Sequence, residues 1–136
     1  MSPDPAEVIR RFVADVWNDG RPQTAHDVIG PDLPGLDGTG PEATLAWHAD
    51  RRTSFPDLVY EIVDLVADGD QVAFRWEAAG TQHGAFGPVP ATGRTVRYRG
   101  ATFCRVVDGL VVEVSSVNDL FGLLQQLGVE VSPPTA

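Results

Sequence analysis

The strongest candidates for chemistry in the sequence are a histidine and an arginine three positions apart, His48 and Arg51. Residues at this spacing lie side by side on one face of a helix, and Trp47 precedes the histidine. Inside a pocket, His48 would act as a general base or acid, and Arg51 would stabilise an anion or an enolate. The alternative is an ordinary helix face in water, with Asp50, Arg51 and Arg52 solvated.

The last two predicted strands supply a second set of candidates. Alternation along these strands turns one face of each toward a common pocket wall. The side chains on that face are Thr102, Cys104, Val106, Val112, Val114, Ser116 and Asn118. Such a wall is mostly apolar, with hydroxyl and amide groups, and fits a bulky hydrophobic ligand that hydrogen bonds would orient. Cys104 is interpreted as a small buried residue rather than a nucleophile, because no histidine lies near it on either strand.

Asp119, directly after this wall, has two interpretations. It could be a pocket acid with a raised pKa, which makes it a candidate acid–base residue together with His48. The favoured alternative is the N-cap of the last helix, a position at which aspartate is strongly preferred. Asn118 is either a polar contact of the pocket or an alternative cap.

The remaining candidates lie apart from one another in the sequence. His83 and Phe86 belong to a Gly- and Pro-rich connection over 80–93 and could line the pocket mouth, although an exposed loop histidine is also consistent with the pattern. Four large aromatic residues could line the cavity or simply fill the core. They are Trp17, Tyr60, Trp76 and Tyr98. The histidines are too scattered for a metal site, and there is no cysteine pair, so no metal is predicted.

The charge balance excludes several classes of partner. The formal net charge is −9, from 19 acidic and 10 basic residues. So negative a chain repels phosphate backbones and anionic membrane surfaces, which disfavours nucleic-acid and membrane binding. No apolar run approaches the roughly 20 residues of a membrane span, and no signal peptide is visible at the N-terminus. With one cysteine, the sequence predicts a soluble cytoplasmic protein.

The first half of the sequence predicts helices. Asp4, Pro5 and Glu7 form a helix start with a capping box. The helix that follows has an apolar stripe at helical spacing: Val8, Ile9, Phe12, Val13, Val16 and Trp17. A short helix over 24–29 and a loop over 31–41 come next. A second capping box at Thr39 and Glu42 begins a helix to about residue 52. Its inward stripe is Thr44, Trp47, His48, Arg51 and Phe55.

The second half predicts strands over 58–66, 71–79, 94–106 and 110–118. Tight turns fall at Asp68-Gly69 and Asp108-Gly109, and Gly100 suggests a bulge or bend. A last helix follows Asp119 and stops at Gly128. Helices followed by strands predict one α+β domain over residues 1–136, with a frayed tail over 129–136. The helices should close one end of a curved antiparallel or mixed sheet and leave a cavity between.

The sheet face opposite the pocket is expected to be covered. It carries Ala101, Phe103, Ser115 and Val117. A second copy of the chain is the expected cover, so we predict a homodimer through the outer sheet face.

Several motifs occur in an order and spacing that point to a known family. They are Phe55-Pro-Asp-Leu58, Asp68-Gly-Asp-Gln-Val72, Gly80-Thr-Gln-His-Gly-Ala-Phe86, Pro90-Ala-Thr-Gly-Arg94, Asp108-Gly109 and the segment from Asp119 to Gly128. Together they resemble the SnoaL-like polyketide cyclase family over almost the whole chain. The resemblance implies a cone-shaped α+β barrel of the nuclear transport factor 2 superfamily, with a small-molecule pocket, dimerisation through the outer sheet face, and no metal or organic cofactor. The best-known activity of the family is an intramolecular aldol ring closure.

The chain departs from the family where the aldol chemistry resides. Members often end the last strand with Glu-His-Trp-Asp-x-x-Asp, whereas this chain has Glu113-Val-Ser-Ser-Val-Asn-Asp119. The acid–base aspartate of the aldol cyclases falls on Ser116, and its histidine partner falls on Thr102. Hydroxyl groups titrate far above neutral pH, so this pair cannot carry out unassisted proton transfer.

The leading hypothesis is therefore a cofactor-independent, cyclase-like enzyme for a hydrophobic polyketide-type intermediate of secondary metabolism. Shape and preorganisation would supply most of the catalysis. His48 and Asp119 are the acid–base candidates, with Arg51, Ser116 and Asn118 as polar orienting groups. The alternatives are a non-catalytic small-molecule binder on the same fold and an epoxide hydrolase or isomerase. An epoxide hydrolase would require an Asp–Arg–Asp arrangement, for which only Asp119 and Arg51 are available.

Overall fold

The α+β prediction is confirmed: helices come first, and an antiparallel sheet follows. The structure, a computed structural model, describes residues 3–135. Met1, Ser2 and Ala136, which the predicted domain 1–136 includes, lie outside the described residues. The helices are α1 (Pro5–Arg11) with a π-helical continuation (Phe12–Asn18), α2 (Pro22–Val28), α3 (Pro41–Ser54) and α4 (Leu120–Gln126). The strands are β1 (Pro34–Gly35), β2 (Gly38–Thr39), β3 (Val59–Asp68), β4 (Gln71–Thr81), β5 (Thr95–Val107) and β6 (Leu110–Asn118).

The first helix buries its whole predicted stripe, from Val8 to Trp17. The Asp4 carboxylate caps it by accepting a hydrogen bond from the Ala6 N–H at 3.2 Å. Its π-helical end is held from two sides. Arg52 donates to the carbonyl oxygens of Trp17 and Val16, and the Val16 oxygen also accepts from the Gly20 N–H at 3.1 Å. The Asn18 carboxamide bonds the backbone of Tyr60 in both directions, at 2.8 and 2.9 Å, and so joins the helix to β3.

Helix α3 begins two residues later than the predicted cap. Its N-cap is Gly40, at φ 90° and without a side-chain cap, whereas Thr39 belongs to β2. The capping box at Thr39 is therefore wrong: a positive φ at the cap favours glycine. The predicted helix phase is confirmed at its buried positions, because Thr44, His48 and Phe55 are all buried.

Strands β3 to β6 form one antiparallel sheet in chain order. Both predicted tight turns are present, with positive φ at Gly69, Asp108 and Gly109. The helices pack on the inner face, and the core lies between. Bridging of Ile29 to Val111 attaches the end of α2 to β6.

Gly100 does not form the expected bulge. The register runs without a break through Gly100, and the irregularities fall at Ile62/Asp64 and Arg105/Val106. Gly100 lies opposite Trp76, and a Cβ there would overlap the indole and stand 2.6 Å from the Val117 carbonyl oxygen. The glycine makes room for an aromatic ring across the strand.

The irregularity at Arg105/Val106 also corrects the start of the pocket wall. Val111, rather than Val112, pairs with Val106 and is fully buried. A one-residue shift exchanges the two faces of a strand, so strict alternation from Val114 back to Val112 is wrong. From Val114 onward, β6 keeps the predicted face, since Val114, Ser116 and Asn118 line the cavity.

The outer sheet face exposes large apolar side chains, including Phe103 (60 %) and Val117 (68 %). Residues 130–135 follow α4 without regular structure and are exposed. Within residues 3–135, no helix is long and apolar enough to cross a membrane.

Candidate functional site

A cavity of about 530 Å³ opens between the inner sheet face and the helices. Most of the residues predicted for the site line it. They are Trp17, Trp47, His48, Arg51, Tyr60, Trp76, Phe86, Tyr98, Val114, Ser116 and Asn118. The cavity thus collects side chains from the first helix, α3, the loop after β4 and all four strands of the sheet.

Trp17 is at the centre of an aromatic cluster that forms the cavity wall. Its ring centroid lies 5.2 Å from that of Tyr60, 5.4 Å from His48 and 6.4 Å from Trp76. Trp76 in turn meets Tyr60 at 5.2 Å and Tyr98 at 5.7 Å, both edge to face. Such packed rings form a rigid apolar surface suited to a flat ligand.

His48 is a strongly perturbed titratable group of the cavity. It is 7 % exposed and stacks on Trp17. Burial, followed by the nearby charges of Arg52 and Arg51, lowers the pKa of His48 from 6.5 to about 3. At pH 7 its imidazole is therefore neutral, with one N–H donor and one acceptor nitrogen.

The ring nitrogens of His48 are available to a ligand. Among residues 3–135, neither nitrogen hydrogen-bonds to another side chain or to the backbone. No fully enclosed side-chain nitrogen or oxygen in the same part of the chain lacks a partner. The His48 nitrogens must therefore be reachable, and the cavity that His48 lines is where they are reached.

Arg51 places a positive charge at the cavity opening. Its guanidinium carbon lies 5.5 Å from the Trp47 ring centroid and 5.0 Å from that of Phe86. These cation–π contacts hold the group between two aromatic faces. No carboxylate in residues 3–135 forms an ion pair with Arg51, in contrast to Arg75 and Arg105. Its charge is free to meet a ligand.

A chain of hydrogen bonds crosses the sheet beneath the cavity. The Trp76 indole N–H donates to the Thr102 hydroxyl at 2.9 Å, and the Thr102 and Ser116 hydroxyls are 2.8 Å apart. Thr102 is fully buried behind the wall, whereas Ser116 reaches the cavity. Burial raises the pKa of the Tyr60 and Tyr98 phenols, so both remain neutral donors.

Three of the remaining predicted site residues lie elsewhere. Asp119 is exposed and caps α4, since its carboxylate accepts from the Gly122 N–H at 2.9 Å. His83 is exposed on the loop after β4, where its backbone N–H donates to Ser54. Cys104 is buried among core side chains, and this burial raises the pKa of its thiol to about 12. The structure does not bring these groups to His48.

Some lining residues escaped the sequence analysis. Leu33, Pro34 and Gly35 come from the short β1 region, and Leu120 and Leu123 from α4. The leucines had a helical spacing that could have indicated a buried face. The β1 region has no apolar periodicity, so the sequence held no signal for it.

Gln82 supports the site from outside the cavity. It is fully buried, and its carboxamide oxygen accepts from the Thr92 N–H at 3.0 Å and the Thr92 hydroxyl at 2.7 Å. Its amide nitrogen donates to Val89. These bonds close the loop that carries Phe86 to the cavity. Separately, within residues 3–135 no group of three or more His, Cys, Asp or Glu side chains could hold a metal ion.

A cavity with aromatic walls under an antiparallel sheet is typical of a class of α+β proteins that bind small molecules. The sequence profile of the SnoaL-like polyketide cyclases matches residues 7–127. The chain belongs to the SnoaL-like polyketide cyclase family.

Solved structures share this fold over nearly their whole length. IdmH of Streptomyces antibioticus, a candidate polyketide cyclase, is 32% identical, with a TM-score of 0.79 over 93% of this chain and 100% of its own. A candidate polyketide cyclase of Acidithiobacillus ferrooxidans is 25% identical, with a TM-score of 0.80 over 94% and 96%. AclR of Streptomyces galilaeus, a candidate hydroxylase, is 28% identical, with a TM-score of 0.77 over 96% and 88%. The comparison with curated proteins finds no significant match.

Proposed function

We propose that this protein is a cofactor-independent, cyclase-like enzyme that acts on a hydrophobic polyketide-type intermediate in the cytoplasm, as part of secondary metabolism. The observation that carries this proposal is the cavity of about 530 Å³, with aromatic walls and a few neutral or cationic polar groups. We take the cavity to be the interior of the cone-shaped barrel that the family resemblance implies.

The polar groups suit a reaction that builds negative charge on oxygen. Loss of an α-proton from the substrate to water gives an enolate, whose carbon attacks the ketone, and the resulting alkoxide regains a proton from water. Fixed donors aimed at the oxygen that carries the negative charge lower the barrier. The neutral His48 N–H and the Arg51 guanidinium are donors of this kind. The low pKa of His48 makes it a weak base, so we propose hydrogen bonding rather than net proton transfer as its role at pH 7.

The aromatic walls supply the second part of the proposed catalysis. A flexible poly-ketone chain has many conformers, and only a few bring the reacting carbons together. Stacking against Trp17, Tyr60 and Trp76 would select folded conformers and convert the closure into a pre-oriented reaction.

The other reactions considered have less support. Epoxide opening by an Asp–Arg–Asp arrangement needs a carboxylate beside the bound water. Among the described residues, no Asp or Glu lines the cavity, and Asp119 is engaged as a helix cap. A purely binding role would use the same cavity, and the turnover test below separates it from the enzyme.

The test is incubation with linear and partly cyclised aromatic polyketide intermediates, followed by separation and mass analysis of the products. His48→Ala should lower the rate by about 100-fold, the scale of one lost catalytic donor. His83→Ala, which removes an exposed imidazole, is the matched control and should retain full activity. Unchanged turnover in His48→Ala would refute the assignment of His48, and no turnover by the wild type would favour the binding protein.

We also propose that two copies pair through the outer sheet face. Val66, Phe103 and Val117 are each at least 60 % exposed there. Sedimentation velocity on wild type and Phe103→Arg tests this, since a charge in the contact should give monomers. Val131→Arg alters an equally exposed residue outside the sheet and should leave the mass unchanged. A monomeric wild type would contradict the proposal.

A further inference from the structure

The hydrogen-bond chain beneath the cavity has a direction that donor counting determines. An indole nitrogen can only donate, so the Thr102 oxygen accepts from Trp76. Thr102 then has one hydroxyl proton of its own to place. Within residues 3–135 the other oxygen it bonds with its side chain is that of Ser116, at 2.8 Å. Thr102 is fully buried, and a buried donor without an acceptor is costly. Thr102 therefore donates to Ser116.

Ser116 is left with a free proton at the cavity. Its oxygen accepts from Thr102, and its own hydroxyl proton has no acceptor in the part of the chain that the structure describes. Ser116 is exposed and lines the cavity, so a ligand in the cavity can accept this proton. Each donor in such a chain polarises the next, which makes the terminal hydroxyl a better donor than an isolated serine.

The sheet holds the chain rigidly. Thr102 and Ser116 are directly paired across β5 and β6. Trp76 reaches Thr102 diagonally from β4, over Gly100, whose missing Cβ leaves room for the indole. Three neighbouring strands thus contribute one group each, and none of these groups depends on a loop.

We propose that Trp76, Thr102 and Ser116 form a directed hydrogen-bond chain that presents the Ser116 proton to a ketone oxygen of the ligand. Ser116 is the binding residue, while Thr102 and Trp76 are positioning residues. The inference rests on the proposed function only in using the same cavity. It narrows the ligand class to flat molecules with a ketone or quinone oxygen beside an aromatic ring, because the Ser116 hydroxyl lies next to the Trp76 surface.

The chain transfers no proton in this proposal. Its role is a fixed hydrogen bond that strengthens as negative charge develops on the ketone oxygen. A serine and a threonine at these positions therefore serve as neutral donors, where a carboxylate in place of Ser116 would repel the same oxygen.

The test uses 2-acetylnaphthalene carrying a carbon-13 carbonyl, a flat ketone small enough for the cavity. Infrared difference spectra report the carbonyl stretch of the bound probe, which falls in frequency when its oxygen accepts a hydrogen bond. The stretch should be lower in the wild type than in Ser116→Ala, and the affinity of Ser116→Ala should fall about three- to tenfold, as for one lost neutral hydrogen bond. Ser115→Ala, on the opposite sheet face, is the matched control and should behave as wild type.

Two variants separate positioning from a merely structural role. Thr102→Val removes the acceptor and donor at nearly constant shape, so the Ser116 hydroxyl loses its orientation and the carbonyl band should broaden and rise. Thr102→Ser restores the hydroxyl and should restore the narrow, low band. Thermal unfolding shows whether each variant folds. If Thr102→Val does not fold, the comparison of Ser116→Ala and Thr102→Ser with the wild type decides the question.

Equal carbonyl frequencies in wild type and Ser116→Ala would overturn the proposal. A Thr102→Ser spectrum that fails to match the wild type would do so as well, and so would an absence of probe binding. The probe does not react, so these results are independent of turnover. A shifted band in a protein that cyclises no polyketide would uphold the hydrogen-bond chain and reject only the proposed reaction.

Discussion

Burial of His48 should make stability depend on pH in a way that one substitution removes. The folded protein holds the pKa of His48 at about 3, against 6.5 for a free imidazole. Between these values the unfolded chain binds a proton that the folded chain does not. Stability rises with pH wherever the unfolded state binds more protons, so the contribution of His48 is complete above about pH 6.5 and is lost as the pH falls toward 3.

The magnitude follows from the same two values. Each pH unit over which one state holds an extra proton changes the free energy of unfolding by about 1.36 kcal/mol. From pH 7.5 to pH 5 the unfolded chain takes up nearly one proton at His48, mostly over the last 1.5 units. The integrated loss of stability is about 2 kcal/mol. A residue that does not titrate binds no proton in either state, so replacing His48 by one should abolish this part of the pH dependence of stability.

The assay is urea unfolding of wild type and His48→Gln at pH 5, 6 and 7.5. The wild type should lose about 2 kcal/mol more than the variant between the extremes, whatever the absolute stability of the variant. His83→Gln, which removes an exposed imidazole, should follow the wild type. A parallel pH dependence in wild type and His48→Gln would refute a neutral, buried imidazole and return His48 to the acid–base role expected from sequence.

Three further predictions concern single residues. Gly100→Ala should lower the free energy of unfolding by about 2 kcal/mol or more, because the added methyl group overpacks against Trp76. Urea unfolding measures this, with Ala101→Ser as the control, and equal stability of Gly100→Ala and the wild type would contradict the close approach of Gly100 and Trp76. Asp119→Ala should cost about 1 kcal/mol of stability through the lost cap while leaving turnover unchanged, and a large rate loss would restore its catalytic role. Arg51→Gln should weaken binding of 2-naphthoate about tenfold more than binding of 2-acetylnaphthalene, and equal losses in calorimetry would exclude an anion contact.

Periodicity predicted those parts of the site that lie on regular elements. The phase of α3 followed from the polar stripe at Thr44, His48 and Arg51, because helical spacing brings these positions to one face. The inner face of β5 followed from strict alternation, and Thr102 and Cys104 are buried accordingly. Pattern reasoning succeeds here because burial of one face imposes the period on the sequence.

The same reasoning failed where a local irregularity or a long-range contact decides the structure. The shift near Val106 exchanges Val111 and Val112, and nothing in the sequence indicates a bulge there. Glycine is needed at position 100 because the Trp76 ring on another strand occupies the space of a Cβ, and no short window of sequence contains both residues. Gln82 reads as an ordinary loop residue, yet its partners seven and ten positions away make it a buried support.

The electrostatics of the cavity argue for the kind of reaction it can support. The chain carries a net charge of −9, yet among its described residues no Asp or Glu lines the cavity, and Arg51 stands at the opening. His48 is neutral, and the Ser116 hydroxyl donates into the cavity. Every polar group described there can therefore stabilise a forming oxyanion, and none is a strong base at pH 7. For the proposed ring closure, the substrate must therefore be acidic enough to lose its proton to water, as a 1,3-diketone is. Under this proposal, the departure from the aldol cyclases at Ser116 changes the source of the reactivity, from a carboxylate of the enzyme to the substrate itself.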